Sequence, residues 1–135
     1  METDKFQTIL LGIIYNPKDK KILIGKRKED PEIKELKWCF PGGKLSHKED
    51  IEKTLKNKIK NKTGYEIINL GSILARIPEE KKDQVLIYYL CEVINGEEKK
   101  GNDLEELKWV SPEEIENYIT TSFHPHLKEY ILNLK

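Results

Sequence analysis

The sequence predicts an α+β fold in which a β-sheet is layered against helices. Apolar runs of strand length, bounded by turn residues, recur over most of the chain. One amphipathic stretch of helical period stands between them, and a helix-start signal followed by more helix closes the chain. The 135 residues fit a single domain, residues 1–135, with one hydrophobic core.

The N-terminal part of the chain predicts a β-hairpin. Residues 6–15 form a continuous apolar run typical of a buried strand, and the turn cluster NPKDK connects it to a returning strand over residues 21–28. A polar loop then leads to a short strand at residues 38–40. The Pro-Gly-Gly run at residues 41–43 predicts a sharp bend, because glycine adopts positive φ at little cost.

The main helix is predicted directly after this bend. Ser46 and Glu49 have the spacing of a capping box, in which each side chain bonds the other residue's backbone amide. Gly64 predicts the C-terminal end in a left-handed conformation. The buried stripe is predicted from three apolar residues spaced four apart: Ile51, Leu55 and Ile59.

The second half of the chain predicts three more strands and a helical C-terminus. Two long strands are expected over residues 67–77 and 84–94, and a shorter one over residues 104–110. The run SPEE that begins at Ser111 is typical of a helix start, with a serine cap, proline in the first turn and glutamate at the third position. Two short helices, separated by residues 120–125, are expected to follow.

Bulk properties restrict the classes of partner. The formal net charge is zero, so overall charge does not indicate a polyanionic partner. The two cysteines lie in apolar runs without metal-ligand spacing, which suits a reducing compartment and predicts a cytoplasmic location. No apolar run approaches the length of a membrane span, and no membrane partner is expected.

A spaced motif runs from residue 43 to residue 65. Five residues separate Gly43 from Glu49, seven more precede position 57, and Gly64 follows at the expected distance. This pattern resembles the Nudix box, G-x5-E-x7-R-E-U-x-E-E-x-G-U, with the register intact. The run WCFPGGK at residues 38–44 and the run EELKWV at residues 105–110 also resemble Nudix segments. The resemblance to the Nudix hydrolase family implies an α/β/α sandwich with a mixed sheet.

The box is degenerate at the positions that carry the family's chemistry. The resemblance implies that Mg²⁺ clamps the phosphates of a nucleoside diphosphate linked to another group, held by glutamates of one helical turn. Here Lys58, Asn61 and Lys62 stand in place of three glutamates, and Asn57 replaces the arginine. These four positions sum to −2 in the family pattern and to +2 in this chain. Two charges at about 4 Å interact by roughly 1 kcal/mol in water and about 4 kcal/mol at an effective dielectric of 20. The two lysines would therefore repel a divalent cation at these positions, and no metal ligand is predicted.

The leading interpretation is a Nudix-fold protein with lost or severely weakened hydrolysis that binds a phosphorylated small molecule such as a nucleotide, without a required cofactor. The lysines either neutralise the phosphates directly or occupy positions released from catalytic constraint. The predicted substrate-binding residues are those of the motif and of the neighbouring hairpin strand: Arg27, Gly42, Gly43, Lys44, Lys58 and Lys62.

Two alternatives remain. An active hydrolase would use relocated acids to hold Mg²⁺ or Mn²⁺, and the candidate catalytic residues are Glu49, Glu105 and Glu106, with Glu52 as a further ligand. A capping role is the favoured explanation of Glu49, and a solvated strand edge explains Glu105 and Glu106 at least as well. A nucleic-acid module would use the lysine-rich helix, but zero net charge and the lack of clustered aromatics oppose it. The resemblance is also compatible with a homodimer.

Overall fold

A computed structural model describes residues 6–28, 37–101, 103–119 and 123–134. The described residues form seven strands, three α-helices and one 3₁₀ turn, Pro112–Glu114. The strands are β1 (Gln7–Asn16), β2 (Lys21–Arg27), β3 (Trp38–Cys39), β4 (Gly42–Leu45), β5 (Tyr65–Arg76), β6 (Gln84–Gly96) and β7 (Leu104–Val110). The helices are α1 (Ile51–Thr63), α2 (Ile115–Tyr118) and α3 (Pro125–Leu132).

The strands build one mixed sheet. Its order is β3-β2-β1-β6-β5, while β4 pairs with β1 and β7 pairs with β2. β1 and β6 are parallel, and the other pairings are antiparallel. In this register Leu10 of β1 lies opposite Gly43 of β4, and Arg27 at the end of β2 lies opposite Leu104 at the start of β7.

Two apolar cores lie on opposite faces of the sheet. One buries the inner face of α1 with Leu10, Ile14, Leu23, Leu55, Ile59, Ile67, Tyr89 and Cys91. The other joins α2 and α3 to the sheet through Ile13, Tyr15, Ile22, Ile24, Phe40, Tyr88, Val110, Ile115, Leu127 and Ile131. The α+β prediction and the α/β/α sandwich implied by the resemblance are therefore confirmed. No helix in the described part of the chain is long and apolar enough to cross a bilayer.

The Pro-Gly-Gly run bends as predicted, but the bend is at Pro41, and Gly42 and Gly43 begin β4. Gly42 has a φ of +157°, and a Cβ placed there would lie 1.9 Å from the carbonyl oxygen of Leu10. The close approach of β1 therefore requires glycine at this position. A glycine required by a turn and a glycine required by close backbone approach look alike in sequence, and at Gly42 the close approach of β1 is the requirement.

The start of α1 also differs from the prediction. Asp50 is the N-cap, and its carboxylate accepts a hydrogen bond from the Lys53 amide at 2.8 Å. Ser46 lies in a separate turn, where its amide donates to the Glu49 carboxylate at 2.7 Å. Only half of the predicted capping box forms, because Lys48 with a φ of +68° interrupts the helical path.

The buried stripe of α1 begins one turn later than predicted. Ile51 is 42% exposed, whereas the buried residues are Thr54, Leu55, Ile59 and Thr63. The predicted end is confirmed, since Gly64 has a φ of 83° and its amide donates to the Lys60 carbonyl at 2.9 Å.

The C-terminal prediction is confirmed. The Ser111 amide donates to the Glu114 carboxylate at 3.2 Å, as the capping box requires. The predicted break between α2 and α3 lies partly outside the described residues. His124 caps α3, its Nδ1 accepting from the His126 amide at 3.1 Å, so this histidine pair has a structural role.

Replacement of the true N-cap should cost stability. We expect Asp50→Ala to lower the free energy of unfolding by about 1 kcal/mol, because the Lys53 amide loses its acceptor. Ser46→Ala is the matched control, and we expect a change within about 0.5 kcal/mol because its hydroxyl caps no helix. Urea denaturation measures both changes, and a larger loss for Ser46→Ala would contradict the assignment.

Candidate functional site

The candidate site lies where α1 crosses β4. Leu55 and Ile59 of α1 pack on the sheet, and this brings Lys58 over Gly43. A Cβ built on Gly43 would lie 2.9 Å from Lys58 Cδ, so the aliphatic part of the lysine occupies the space that a side chain on Gly43 would need. Two of the predicted site residues are therefore in contact, and the Lys58 side chain is half-buried against the strand.

Lys62 follows one turn later on α1 and is paired with an acid. Its Nζ lies 3.5 Å from Oδ2 of Asp103, with the Lys62 side chain 27% exposed and that of Asp103 59% exposed. Sequence reasoning missed Asp103, because it belongs to no motif and lies in the connection before β7. The charge around Lys62 is consequently less positive than the sum of +2 over positions 57, 58, 61 and 62 indicated.

The connection that carries Asp103 is fixed on the C-terminal end of α1. The Lys99 amide donates to the Thr63 carbonyl at 2.8 Å, and the Gly101 amide donates to the Lys62 carbonyl at 3.0 Å. These bonds satisfy helix carbonyls that would otherwise lack partners. The backbone amides of Lys99 and Gly101 thus bond the last carbonyls of α1, and this holds Asp103 beside the helix.

A side-chain bridge holds the beginning of the same connection. The Glu98 carboxylate accepts hydrogen bonds from the Tyr65 hydroxyl at 3.1 Å and from Trp109 Nε1 at 3.0 Å. The two rings meet edge to face with their centroids 6.1 Å apart. Burial, followed by the Glu98 carboxylate, raises the pKa of Tyr65, so its hydroxyl remains a donor at neutral pH. The connection is therefore tied to β5 and β7 as well as to α1.

Two other lysines of α1 have acidic partners on the outer faces of the helix. Lys56 Nζ lies 3.4 Å from Glu52, and Lys60 Nζ lies 3.1 Å from Glu66. The ammonium of Lys58 has no hydrogen bond or ion pair with any residue that the structure describes. In the cleft between α1 and β4, Lys58 is therefore a half-buried cation whose charge no described carboxylate offsets.

Arg27 and Lys44 lie on β2 and β4, two strands that both pair with β1. The Arg27 amide donates to the Lys37 carbonyl at 2.6 Å, and the residue pairs with Leu104, directly after Asp103. Lys44 is exposed on β4, one residue after Gly43. Gly42 is buried, so of the two glycines only Gly43 is partly accessible.

The predicted catalytic acids lie in two places, Glu49 before α1 and Glu105 with Glu106 on β7. Glu49 bonds the Ser46 amide, and Glu105 lies 3.9 Å from Lys26. Glu106 is exposed, opposite Lys26 in the pairing of β2 with β7. The further candidate, Glu52, accepts from the Asn69 amide group at 3.1 Å and contacts Lys56. Within the described ranges, no three His, Cys, Asp or Glu side chains are close enough together to hold a metal ion.

Other reactive side chains have structural roles. Cys91 is fully buried, and this burial raises the pKa of its thiol to about 12, so it is not a nucleophile at neutral pH. Tyr88 and Tyr89 are buried on opposite faces of the sheet, which makes both rings part of the cores. Trp38 packs edge to face on Tyr118 at 5.2 Å.

Comparison with known proteins gives a consistent result. The NUDIX domain model matches residues 5–133. An ADP-ribose pyrophosphatase of Methanocaldococcus jannaschii is 36% identical over 104 residues, covering 73% of this chain and 57% of that protein. Nucleoside triphosphatase NudI of Escherichia coli is 25% identical over 125 residues, covering 83% of this chain and 86% of that protein. The solved structure of a NUDIX hydrolase from Nitrosomonas europaea has a TM-score of 0.78 at 19% identity, covering 96% of this chain and 72% of that chain, and shows the shared fold.

The contact between Gly43 and Lys58 can be tested with two neighbouring glycines. We expect Gly42→Ala to lower the free energy of unfolding by roughly 3 kcal/mol or more, because the new Cβ would collide with backbone. Gly43→Ala should cost less than about 1 kcal/mol, since a flexible lysine side chain can move away.

Urea denaturation measures the two costs. In a Lys58→Ala background the cost of Gly43→Ala should fall further, because the colliding atoms are gone. An unchanged cost in that background would show that Lys58 does not lie on Gly43.

Proposed function

The chain belongs to the Nudix family, and from this premise we propose that it binds a phosphorylated small molecule, such as a nucleotide, in the cleft between β4 and α1. In the same proposal its hydrolytic activity is lost or severely weakened. The observation that carries the proposal is the position of Lys58, a cation without a described acidic partner, held against the partly accessible backbone of Gly43.

The side chains present do not fit the divalent metal that the family's chemistry uses. Mg²⁺ takes oxygen ligands in near-octahedral geometry. An ammonium group has no lone pair to donate, so Lys58 and Lys62 cannot replace the family's glutamates, and Asn61 offers one neutral oxygen. The described acids do not gather into an alternative group of three. We therefore derive no metal-dependent step for this chain.

Lys58 can act on phosphate as a point charge. Its stem is restrained by contact with the β4 backbone, so less side-chain freedom is lost when the ammonium meets an anion. Arg27, at the end of β2 and opposite Leu104, is proposed to add positive charge near Asp103. Lys44 alternates with Gly43 and Leu45, which face α1, so its side chain projects from the other face of β4. The glycine at position 43 leaves backbone accessible to a ligand.

The relatives support a nucleotide as the ligand class. The archaeal relative is named for a pyrophosphatase acting on ADP-ribose, and the bacterial one for a nucleoside triphosphatase. The chain spans 57% of the length of the archaeal relative, so the activity of that whole protein is carried over only as a proposal.

The proposal also includes the organisation and location of the protein. The family match over residues 5–133 supports a single domain across residues 1–135. No disulfide joins the described cysteines Cys39 and Cys91, which suits a reducing compartment and supports a cytoplasmic location.

An active hydrolase with relocated acids is the second candidate, favoured by the names of the relatives. It needs Glu49, Glu52 and Glu105 or Glu106 to converge on one ion. In the described structure Glu49 is bound to its own turn, while Glu52 and Glu105 each have a lysine neighbour. These contacts count against the second candidate.

Binding without metal should depend on Lys58. In thermal-shift assays with EDTA, we expect at least one of ADP-ribose, the nucleoside triphosphates and inorganic pyrophosphate to raise Tm. Lys58→Gln should weaken that binding about tenfold, because a charge-assisted contact is lost. Lys53→Gln, which removes an exposed lysine from the first turn of α1, should leave it unchanged. Equal affinities in the two variants would contradict the role of Lys58.

Hydrolysis should be absent or very weak. With the same nucleotides and Mg²⁺ or Mn²⁺, we expect release of phosphate or nucleoside monophosphate at the level of a blank without protein. Turnover above that level in the wild type, abolished by Glu49→Gln while Ser46→Ala retains it, would favour the second candidate instead. Chromatographic separation of the products measures this directly.

A further inference from the structure

We infer that Asp103 is an internal competitor for the anion site, occupying Lys62 until a phosphoryl group of the ligand displaces it. The inference rests on the proposed function, since it names the residue that sets the affinity of the same cleft. It makes Asp103 an affinity-determining residue that acts through Lys62 and does not itself contact the ligand.

Lys62 belongs to the same side of α1 as Lys58. Residues four apart on a helix are neighbours, with about 5–6 Å between their Cβ atoms. Lys58 is half-buried over Gly43, and Lys62 is likewise half-buried, whereas Lys56 and Lys60 are exposed with partners elsewhere. The two half-buried lysines are therefore the pair that a ligand with two adjacent phosphoryl groups would meet.

The pairing of Lys62 with Asp103 follows from the way the chain is built. Besides the two backbone bonds to the end of α1, Gly101 approaches the helix so closely that a Cβ there would lie 2.6 Å from the Asn61 carbonyl oxygen. On the other side, the Asp103 carbonyl accepts from the Lys28 amide at 3.3 Å. The carboxylate is thus presented to Lys62 by backbone anchored on α1 and β2.

The ion pair between Lys62 and Asp103 is weak enough for a ligand to break it. The charged atoms are 3.5 Å apart, and the Asp103 side chain is 59% exposed, so its carboxylate can turn into water without losing a buried position. Exposed ion pairs change an equilibrium by about fivefold at most. Asp103 therefore lowers the affinity for an anion without preventing binding.

Displacement changes the charge that the helix presents. With Asp103 in place, the net charge of Lys58, Lys62 and Asp103 is +1. When the carboxylate turns away, both ammonium groups face the ligand and share its negative charge. A monophosphate that reaches only Lys58 does not compete with Asp103, whereas pyrophosphate must.

Isothermal titration with inorganic pyrophosphate, in EDTA and at low salt, tests this competition. We expect Asp103→Asn to bind roughly two- to fivefold more tightly than the wild type, because Lys62 is released while the size of the side chain is kept. Glu66→Gln is the matched control: it removes an acid from Lys60 on the same helix and should leave the affinity unchanged. The affinity for inorganic phosphate should rise less on Asp103→Asn than the affinity for pyrophosphate does.

A double-mutant cycle separates competition from general repulsion. In a Lys62→Met background, Asp103→Asn should no longer improve binding if Asp103 acts through Lys62. The inference is overturned if the improvement persists there, or if Asp103→Asn binds like the wild type. Pyrophosphate binding that depends on Lys58 but not on Asp103 rejects this inference and leaves the proposed function intact. A wild type and an Asp103→Asn variant that bind neither pyrophosphate nor any nucleotide reject both.

Discussion

The close stacking of β1, β4 and α1 is the constraint on which the site depends. At Gly42 the β4 backbone comes so near to Leu10 that no side chain fits between them. At Gly43 the neighbouring layer is α1, and the Lys58 stem occupies the space above the strand. Gly12 of β1 similarly leaves room for Ile59, since a Cβ there would lie 2.8 Å from Ile59 Cδ1. The glycines thus let helix and sheet approach, and the approach positions Lys58.

The residues that hold the fold of the family motif differ from the residues that bind metal in the family pattern. The helix is held by buried side chains such as Leu55 and Ile59 and ended by Gly64, and all three are present. The positions that hold metal in the family pattern lie outside the two apolar cores, with Lys58 and Lys62 half-buried and Asn61 exposed, so lysine or asparagine there costs the fold little. A chain can therefore keep the Nudix fold while the charge of its cleft is reversed. This separation explains why family membership and the proposed loss of hydrolysis are compatible.

The charge of the cleft is set by contacts between distant segments. Residues 57–62 include three lysines and no acid, but the connection before β7 brings a carboxylate to Lys62. Of the two half-buried lysines, only Lys58 is without a described partner. The folded protein thus presents a weaker positive charge than the motif indicated. Whether a ligand meets one ammonium group or two then depends on a single exposed carboxylate.

The sequence by itself determined the fold class and the elements other than β4. Apolar runs predicted β7 within its observed bounds, and Gly64 and Ser111 marked helix limits correctly, because these signals are local. Ser46 was a wrong cap because one positive φ at Lys48, invisible in the pattern, separates it from α1. Tertiary structure alone decided that Gly42 lies in a strand and that Asp103 faces Lys62. Both are contacts between segments far apart in the chain, and local periodicity carries no information about such pairs.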